Sequence, residues 1–205
     1  MLPDSAVLDG PSDVGLGAYA CDGVGGCRPI TLAEAAVPPT APEWHWIHLN
    51  YTDDDHQNWL RQDSGLDGLT CDALLAVETR PRLLYTEGPV VVILRGVNLN
   101  PGADPDDMVS LRIWVHERRV ITLRSRRLFS IQDIRKQLLA GQGPRSPGAM
   151  LAAIAGSLLG LQGAVVNALE EEVDDIESSL VEDPGYSLRL RIAEFRRKAI
   201  GLRRY

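Results

Sequence analysis

The sequence predicts an α+β protein, with a head built on a mixed β-sheet and a helical tail behind it. Three observations support this fold class. Short runs rich in β-branched and aromatic residues, separated by turn residues, fill much of the chain before residue 146. Helical patterns are interspersed among these strands. Residues 146–205 show helical periodicity alone.

Size and composition limit the possible classes of protein. The 205 residues suit one large domain, or a compact domain with a helical extension. With 44% hydrophobic and 24% charged residues, the chain can form a core. A net charge of -7 argues against a nucleic-acid partner, because binding to phosphates requires a net basic face. The three cysteines include no CxxC pair, which favours a reducing cytosol, and no secretory signal is visible.

The first elements are a leader and a hairpin. Residues 1–16 are rich in Pro, Gly, Ser and Asp and are expected to form a flexible leader. Residues 17–30 predict a β-hairpin around a glycine-rich turn. Cys21 and Cys27 flank this turn and can face each other across it. They are interpreted as small strand residues, with a metal-binding pair as the alternative, because structural zinc needs about four ligands.

A strand and two short helices are predicted next. Aromatic and β-branched residues over 43–50 predict the strand. Alternation places Ile47 and Leu49 on one of its faces and Trp46 and His48 on the other.

The two helices are assigned from their capping residues. Thr52 or Asp53 can cap a helix that runs to about Ser64, and Thr70 can cap a second over residues 71–78.

A β section follows, with strands predicted over residues 82–86, 89–99, 108–116 and 119–124. The turn-rich residues 101–107 are expected to join two antiparallel strands, and residues 116–119 to make a tighter turn. Ser130 is expected to cap a helix over residues 131–140 before a Gly- and Pro-rich break.

Residues 146–205 predict two long helices of opposite charge. Residues 149–169 carry no charge, and residues 170–183 then hold eight carboxylates and no Lys or Arg. Residues 187–205 hold seven basic residues and one Glu. An antiparallel hairpin turned at residues 184–185 would bring the opposite charges together.

The uncharged window is long enough to raise the possibility of a membrane span, since ~20 residues can cross a bilayer. Large apolar residues recur every three or four positions, however, and this stripe continues through the acidic half. The pattern favours a packed soluble helix over a transmembrane one.

Enzyme motifs are absent from the sequence. It contains no GxSxG, HExxH, P-loop or GxGxxG pattern, so we do not expect an enzyme. His48 and His56 bracket three aspartates at residues 53–55, a set that could bind zinc. His45 and His48 point to opposite faces of their strand, however, and acids at a helix start are explained by the helix dipole.

The acidic helix supplies the candidate metal residues. Glu170, Asp174 and Glu177 share one helical face by their spacing. Their mutual repulsion would be relieved by hard cations or by a basic helix. We interpret them as a surface that attracts cations electrostatically rather than as a defined site. A solvated helix face is the simpler alternative.

Several motifs together resemble the cytoplasmic part of CorA-type divalent-metal transporters, in the zinc-transporting, ZntB-like branch. They are WIHLNY at 46–51, TRPR at 79–82, LRGVN at 94–98, LRIWV at 111–115, RVITLR at 119–124 and RRKAIGLRRY at 196–205. The resemblance covers residues 17–205. No single motif is diagnostic, but their order and spacing together are specific.

The resemblance implies a domain plan and a setting. Residues 17–145 would form an α/β/α head with the mixed sheet between helices, residues 146–184 a long helical segment, and residues 186–205 the start of a stalk helix truncated before the membrane. The family implies a homopentamer on the cytoplasmic side of the bacterial inner membrane, attached only through C-terminal helices beyond this sequence. Divalent cations would be its partners, and the resemblance to the zinc-transporting branch favours zinc over magnesium. No cofactor is assigned apart from these ions.

Two other functions remain as alternatives. A soluble helical adaptor would use the acidic and basic helices as docking surfaces. A metal-dependent or nucleotide enzyme would need acids or histidines converging in a pocket, with strongly perturbed pKa values.

Overall fold

A computed structural model describes residues 15–77, 80–85, 88–103, 108–182 and 186–203. Its strands are β1 (Gly17–Cys21), β2 (Cys27–Ile30), β3 (Trp44–Asn50), β4 (Arg82–Tyr85), β5 (Val90–Gly96), β6 (Val109–His116) and β7 (Arg119–Arg124). Its helices are α1 (Leu32–Ala36), α2 (Asp54–Gln62), α3 (Gly68–Leu75), α4 (Phe129–Leu139), α5 (Pro147–Glu182) and α6 (Tyr186–Arg203). The α+β class is confirmed.

The seven described strands form one mixed sheet in the order β2-β1-β3-β7-β6-β5-β4. The β3–β7 pair is parallel, and the other neighbours pair in antiparallel fashion. The central strands β3 and β7 are buried along nearly their whole length. Buried strands carry apolar side chains in both directions when both faces of a sheet are covered.

Helices cover the two faces of the sheet, which confirms the α/β/α arrangement. On one face, helices α4 and α5 contribute Ile131, Ile134, Leu138, Met150, Ile154 and Leu158 to a core cluster. On the other face, helices α1, α2 and α3 contribute Ala35, Trp59, Leu60, Cys71 and Leu74 to a second cluster. The predicted alternation in β3 is confirmed, because Trp46 belongs to the first cluster and Ile47 and Leu49 to the second.

The predicted β1–β2 hairpin is confirmed, and its turn is organised by one side chain. The Asp22 carboxylate oxygen Oδ1 accepts the backbone N–H groups of Val24, Gly25 and Gly26 at 2.8–3.0 Å. Gly23 and Gly25 have φ angles of 78° and 119°, values that residues with a Cβ rarely adopt. The turn is therefore held by the Asp22 side chain and by two glycines with positive φ angles.

The predicted helix caps are partly wrong. Asp53, one of the two caps predicted for α2, is confirmed, and its side chain accepts the N–H of His56. Helix α3 begins at Gly68, three residues before the predicted start, because Asp67 is the cap. Thr70 donates both its N–H and its hydroxyl to the Asp67 carboxylate and so lies inside the first turn.

Two further differences concern α4 and α1. Helix α4 begins after Leu128 with no side-chain cap, and Ser130, the predicted cap, is buried in its first turn. Helix α1 is not predicted at all. The feature that marks its start is a capping box, in which the side chains of Thr31 and Glu34 each accept the other residue's backbone N–H.

The two predicted long helices are confirmed as α5 and α6. Ser146 caps α5 by accepting the N–H of Ala149 at 3.2 Å. Residues 147–180 are long and apolar enough to cross a membrane by length and composition, with a mean hydropathy of 1.9 in the most apolar window. Ile154 and Leu158 of the predicted stripe pack on the sheet. That the helix does not span a membrane stays a prediction.

Some predicted features lie outside the described residues. These are the leader up to residue 14, residue 78 at the end of the second predicted helix, residue 86, residues 104–107 of the loop and the 184–185 turn. The division into four segments also stays a prediction.

Candidate functional site

Helices α5 and α6 lie antiparallel and bring the opposite charges together, as predicted. Lys198 Nζ on α6 donates to Glu172 Oε2 on α5 at 3.3 Å. Arg191 Nη1 donates to Ser179 Oγ at 3.4 Å. The two contacts are separated by seven residues on each helix and run in opposite directions, which fixes the antiparallel register.

Each of these two helices has a buried apolar side chain, whereas the charged contact between them is partly exposed. The Lys198–Glu172 pair is partly exposed, with side-chain exposures of 45% and 28%. Such pairs contribute ~0.2–1 kcal/mol. Ile176 on α5 and Leu188 on α6 are both buried. Full burial of an Ile or Leu side chain contributes ~1.5–3 kcal/mol.

The three candidate metal residues lie on the exposed surface of α5. Glu170, Asp174 and Glu177 are all exposed. Among the residues that the structure describes, no group of three or more His, Cys, Asp or Glu side chains is placed to hold a metal ion. The three carboxylates therefore form a negatively charged surface. Its attraction for cations stays a prediction.

Exposed basic side chains mark the neighbouring helix. Arg189, Arg196 and Arg197 are exposed on α6. The hairpin therefore presents an acidic surface on α5 and a basic one on α6. Opposite signs on adjacent helices favour their pairing and also steer charged ligands toward one side.

His48 belongs to a closed hydrogen-bond network inside the sheet. Its Nδ1–H donates to Thr122 Oγ1 at 2.8 Å, and its Nε2 accepts the Nε–H of Arg124 at 3.0 Å. Thr122 Oγ1 also accepts Trp46 Nε1–H and donates to the Ile47 carbonyl oxygen. Burial, together with the Arg124 cation, holds the pKa of His48 well below its usual value. Both ring nitrogens are used, so His48 is not available to a metal.

The other two histidines considered as metal ligands have separate contacts. His45 Nε2 lies 3.3 Å from Glu43 Oε1, and burial lowers the pKa of His45 despite that carboxylate. His56 Nδ1 accepts the backbone N–H of Asn50 at 3.4 Å and lies 3.4 Å from Asp53 Oδ1. The structure thus uses each imidazole locally and does not bring the set together around one point.

Arg112 is a buried cation that the sequence did not single out. Its two terminal nitrogens donate to the carbonyl oxygens of Leu74 and Ala76, both at 2.7 Å. Its guanidinium carbon lies 3.5 Å from the centre of the Tyr51 ring. Burial lowers the pKa of Arg112. The side chain closes the C-terminal end of α3, where carbonyl groups lack helical partners. A charged residue within the apolar run LRIWV was its only sequence signal.

An open cavity of about 320 Å³ lies beside the start of α5. Its lining residues are Pro42, Trp44, Glu117, Arg118, Arg145, Ser146 and Pro147. Two guanidinium groups and a single carboxylate do not suit a divalent cation, which prefers several oxygen ligands of negative charge.

The architecture defines a class of protein: an α/β/α domain followed by a long antiparallel helical hairpin of opposite charges. Residues 42–205 match the family described as "CorA-like Mg2+ transporter protein", and the chain belongs to this family. The family resemblance drawn from the short motifs is thereby confirmed.

Two curated relatives show how much of the chain is shared. The chain is 38% identical over 190 residues to "Divalent cation transporter CmaX" of Pseudomonas aeruginosa, covering 91% of this chain and 57% of that protein. It is 31% identical over 187 residues to "Zinc transport protein ZntB" of Yersinia enterocolitica, covering 91% and 56% respectively. The chain thus spans a little over half the length of these relatives.

Solved structures share the fold. Full-length CmaX matches with a TM-score of 0.84 and 37% identity, over 93% of this chain and 59% of that one. The ZntB cytoplasmic domain from Vibrio parahaemolyticus matches with a TM-score of 0.76 and 27% identity, over 91% and 73%. The CorA magnesium transporter of Methanocaldococcus jannaschii, with a TM-score of 0.69 and 16% identity, supports the fold alone.

Proposed function

We propose that this chain is the cytoplasmic part of a divalent-cation transporter of the bacterial inner membrane, with zinc as the first candidate ion. The observation that carries the proposal is the match to full-length CmaX across 93% of the chain, at 37% identity. The names of CmaX and ZntB, a divalent cation transporter and a zinc transport protein, suggest the class of ion that is transported. Since the matched proteins are transporters, we favour a non-enzymatic role and do not favour the helical-adaptor alternative.

The acidic surface of α5 supplies a physical role for the domain. Glu170, Asp174 and Glu177 are exposed and lie on one helical face. Clustered charge of one sign raises the local concentration of the opposite ion and speeds its arrival. The three carboxylates would therefore concentrate divalent cations near the hairpin without binding any one of them in a fixed geometry.

This role does not select zinc over magnesium. Exposed carboxylate oxygens are hard ligands that magnesium and calcium accept, whereas structural zinc sites use Cys and His. No such grouping exists among the described residues. We therefore propose that ion selectivity is set in another part of the transporter.

A homopentamer is the assembly proposed for the complete transporter. Apolar side chains remain exposed along both long helices, including Leu159 and Val166 on α5 and Leu190 and Ile200 on α6. Exposed apolar patches of this kind support association with further helices. The four-segment division of the chain, with α6 as the beginning of a stalk, is part of the same proposal.

Uptake measurements on the complete natural protein that contains this sequence test the function. Reconstituted in vesicles loaded with a metal-sensitive dye, it is expected to admit Zn²⁺ or Mg²⁺. A variant carrying Glu170→Gln, Asp174→Asn and Glu177→Gln should take up less cation at limiting concentration, and high salt should remove the difference. The matched control carries Asp55→Asn, Asp63→Asn and Glu117→Gln, which also remove three exposed carboxylates but lie outside α5. Absence of any divalent uptake would contradict the proposal.

Calorimetry on the present chain separates attraction from coordination. Titration with ZnCl₂ and MgCl₂ should give only weak, salt-sensitive heats. A saturable site that disappears in the triple variant would show that the three carboxylates coordinate a metal.

A further inference from the structure

Cys21 and Cys27 occupy directly opposite positions at the turn end of the β1–β2 hairpin. Both thiols are free. Directly opposite residues in antiparallel strands have Cα atoms ~4.5–5.5 Å apart. This separation lies inside the ~4.4–6.8 Å range of bridged cysteines. A disulfide could therefore form here without rearranging the strands.

The hairpin turn keeps the two cysteines in register. Asp22 binds three successive backbone N–H groups of the turn, and its own N–H donates to the Gly26 carbonyl oxygen at 3.0 Å. The Gly25 carbonyl oxygen accepts the N–H of Gly143 at 2.8 Å, in the segment between α4 and α5. The turn is thus fixed both internally and against the segment that leads into α5.

The two sulfurs differ in their surroundings. Cys21 is fully buried, whereas Cys27 is partly exposed. A hydrogen bond between the two side chains and burial raise the pKa of Cys21. The same hydrogen bond lowers the pKa of Cys27, against its partial burial, and the Arg135 cation acts in the same direction. Cys21 therefore keeps its proton, and Cys27 is the more thiolate-like of the pair.

We propose that Cys21 and Cys27 form an oxidation site, in which peroxide converts the facing thiols into a disulfide that staples the β1–β2 hairpin. The Cys27 thiolate attacks a peroxide oxygen, so that an S–O bond forms, the O–O bond breaks and the leaving hydroxide takes up a proton as water. The Cys21 sulfur then attacks the Cys27 sulfenic acid. The S–S bond forms, the S–O bond breaks, and the Cys21 proton leaves with the hydroxide as a second water. Hydrogen peroxide is the oxidant and both thiols are oxidised.

Cys71 provides an internal comparison. It lies on α3 and is buried in the second core cluster, its thiol donates to the Leu60 carbonyl oxygen at 3.4 Å, and burial raises its pKa. Buried, protonated thiols react slowly with peroxide. Selective oxidation at the hairpin should therefore leave Cys71 reduced.

The test exposes the folded, reduced protein to hydrogen peroxide, quenches the reaction and counts the free thiols after unfolding. One titratable thiol, Cys71, should remain, and peptide mapping should find Cys21 joined to Cys27 with the loss of two hydrogens. The Cys71→Ser variant, treated in the same way, should have no free thiol left. Three remaining thiols, or a dimer joined through Cys27 as the main product, would overturn the proposal.

Two variants test the separate roles of the sulfurs. Cys21→Ala removes the resolving thiol, so a sulfenic acid should accumulate on Cys27 and be trapped by dimedone. Cys27→Ser should show no dimedone adduct on Cys21. An adduct on Cys21 at wild-type rates would overturn the assignment of Cys27 as the attacking sulfur. Because Cys21 is buried, circular dichroism should verify that the Cys21→Ala variant folds. The peptide mapping of the disulfide uses the wild-type protein and does not depend on this variant.

Discussion

Arg124 on β7 donates its Nε–H to Nε2 of His48 on β3, at 3.0 Å, inside the central parallel pair of strands. A ring nitrogen that accepts a hydrogen bond carries no proton, so the proton of His48 lies on Nδ1, where it is donated to Thr122. The two residues therefore fix both the neutral state and the tautomer of a buried imidazole.

This arrangement predicts a loss of stability in mild acid. The pKa of His48 in the folded chain lies well below its usual value of 6.5. As the pH falls below about 6.5, the unfolded chain binds a proton that the folded chain does not, so the unfolding free energy decreases. One proton corresponds to about 1.4 kcal/mol per pH unit. The pKa of His45 is lowered in the same direction and adds to the slope.

Urea unfolding between about pH 5 and pH 7.5 measures this slope. His48→Gln should reduce it, and His45→Gln should reduce it separately. An unchanged slope in His48→Gln would contradict the assignment of a neutral, acid-sensitive His48.

Thr122 predicts a second effect, because its hydroxyl oxygen accepts hydrogen bonds from Trp46 and His48. Thr122→Val leaves both buried donors without this acceptor, and each unsatisfied group costs ~1–3 kcal/mol. We expect the unfolding free energy to fall by roughly 2 kcal/mol or more. Thr122→Ser keeps the hydroxyl and should lose clearly less. A larger loss in Thr122→Ser than in Thr122→Val would show that the methyl group, rather than the network, stabilises this position.

Much of the fold could be predicted from local pattern. The strands β3, β6 and β7 are visible because they are rich in β-branched and aromatic residues, and the β1–β2 hairpin because Asp-Gly demands a turn. Helix α3 was misplaced since Asp67 and Thr70 are both good caps, and which one serves depends on the hydrogen bonds that form. The five-residue α1 is too short to show a helical period.

Contacts between residues that are far apart in the chain could not be predicted from local sequence patterns. Strand β3 pairs with β7 over a separation of more than seventy residues, and the His48 network depends on that pairing. The surroundings of Arg112 likewise come from α3 and Tyr51, which no local period connects to it. The acidic face of α5 was predictable because helical spacing alone places Glu170, Asp174 and Glu177 together.

The packing of α5 on the sheet predicts a large difference between two neighbouring leucines. Leu158 is 2% exposed in the core cluster, whereas Leu159 is 66% exposed. Leu158→Ala should lower the unfolding free energy by ~2–5 kcal/mol, because it leaves a cavity. Leu159→Ala, the same change one position along, should stay within ~0.5 kcal/mol. Similar losses in a urea titration would show that α5 does not dock in this orientation.

The same contact predicts that a Cβ at position 96 of β5 would have to shift two core leucine side chains. A Cβ on Gly96 would lie 2.7 Å from Leu158 Cδ2 and 2.9 Å from Leu128 Cδ2. Gly96→Ala must displace these side chains, and we expect a loss of ~1–3 kcal/mol from overpacking. Gly156→Ala on α5 meets nothing within 4 Å and should instead gain ~0.5–1 kcal/mol from helix propensity. Thermal unfolding of both variants checks the opposite signs.

The Glu172–Lys198 pair predicts a specific but small coupling between α5 and α6. A double-mutant cycle of Glu172→Gln and Lys198→Met should give an interaction of ~0.2–1 kcal/mol, since both side chains are partly exposed. Raising the salt concentration should reduce it. Repeating the cycle with Glu170→Gln is the control, because Glu170 is exposed and forms no ion pair with Lys198 in the part of the hairpin that the structure describes. An equal coupling for Glu170 would mean that diffuse attraction between the helices, rather than this pair, sets their register.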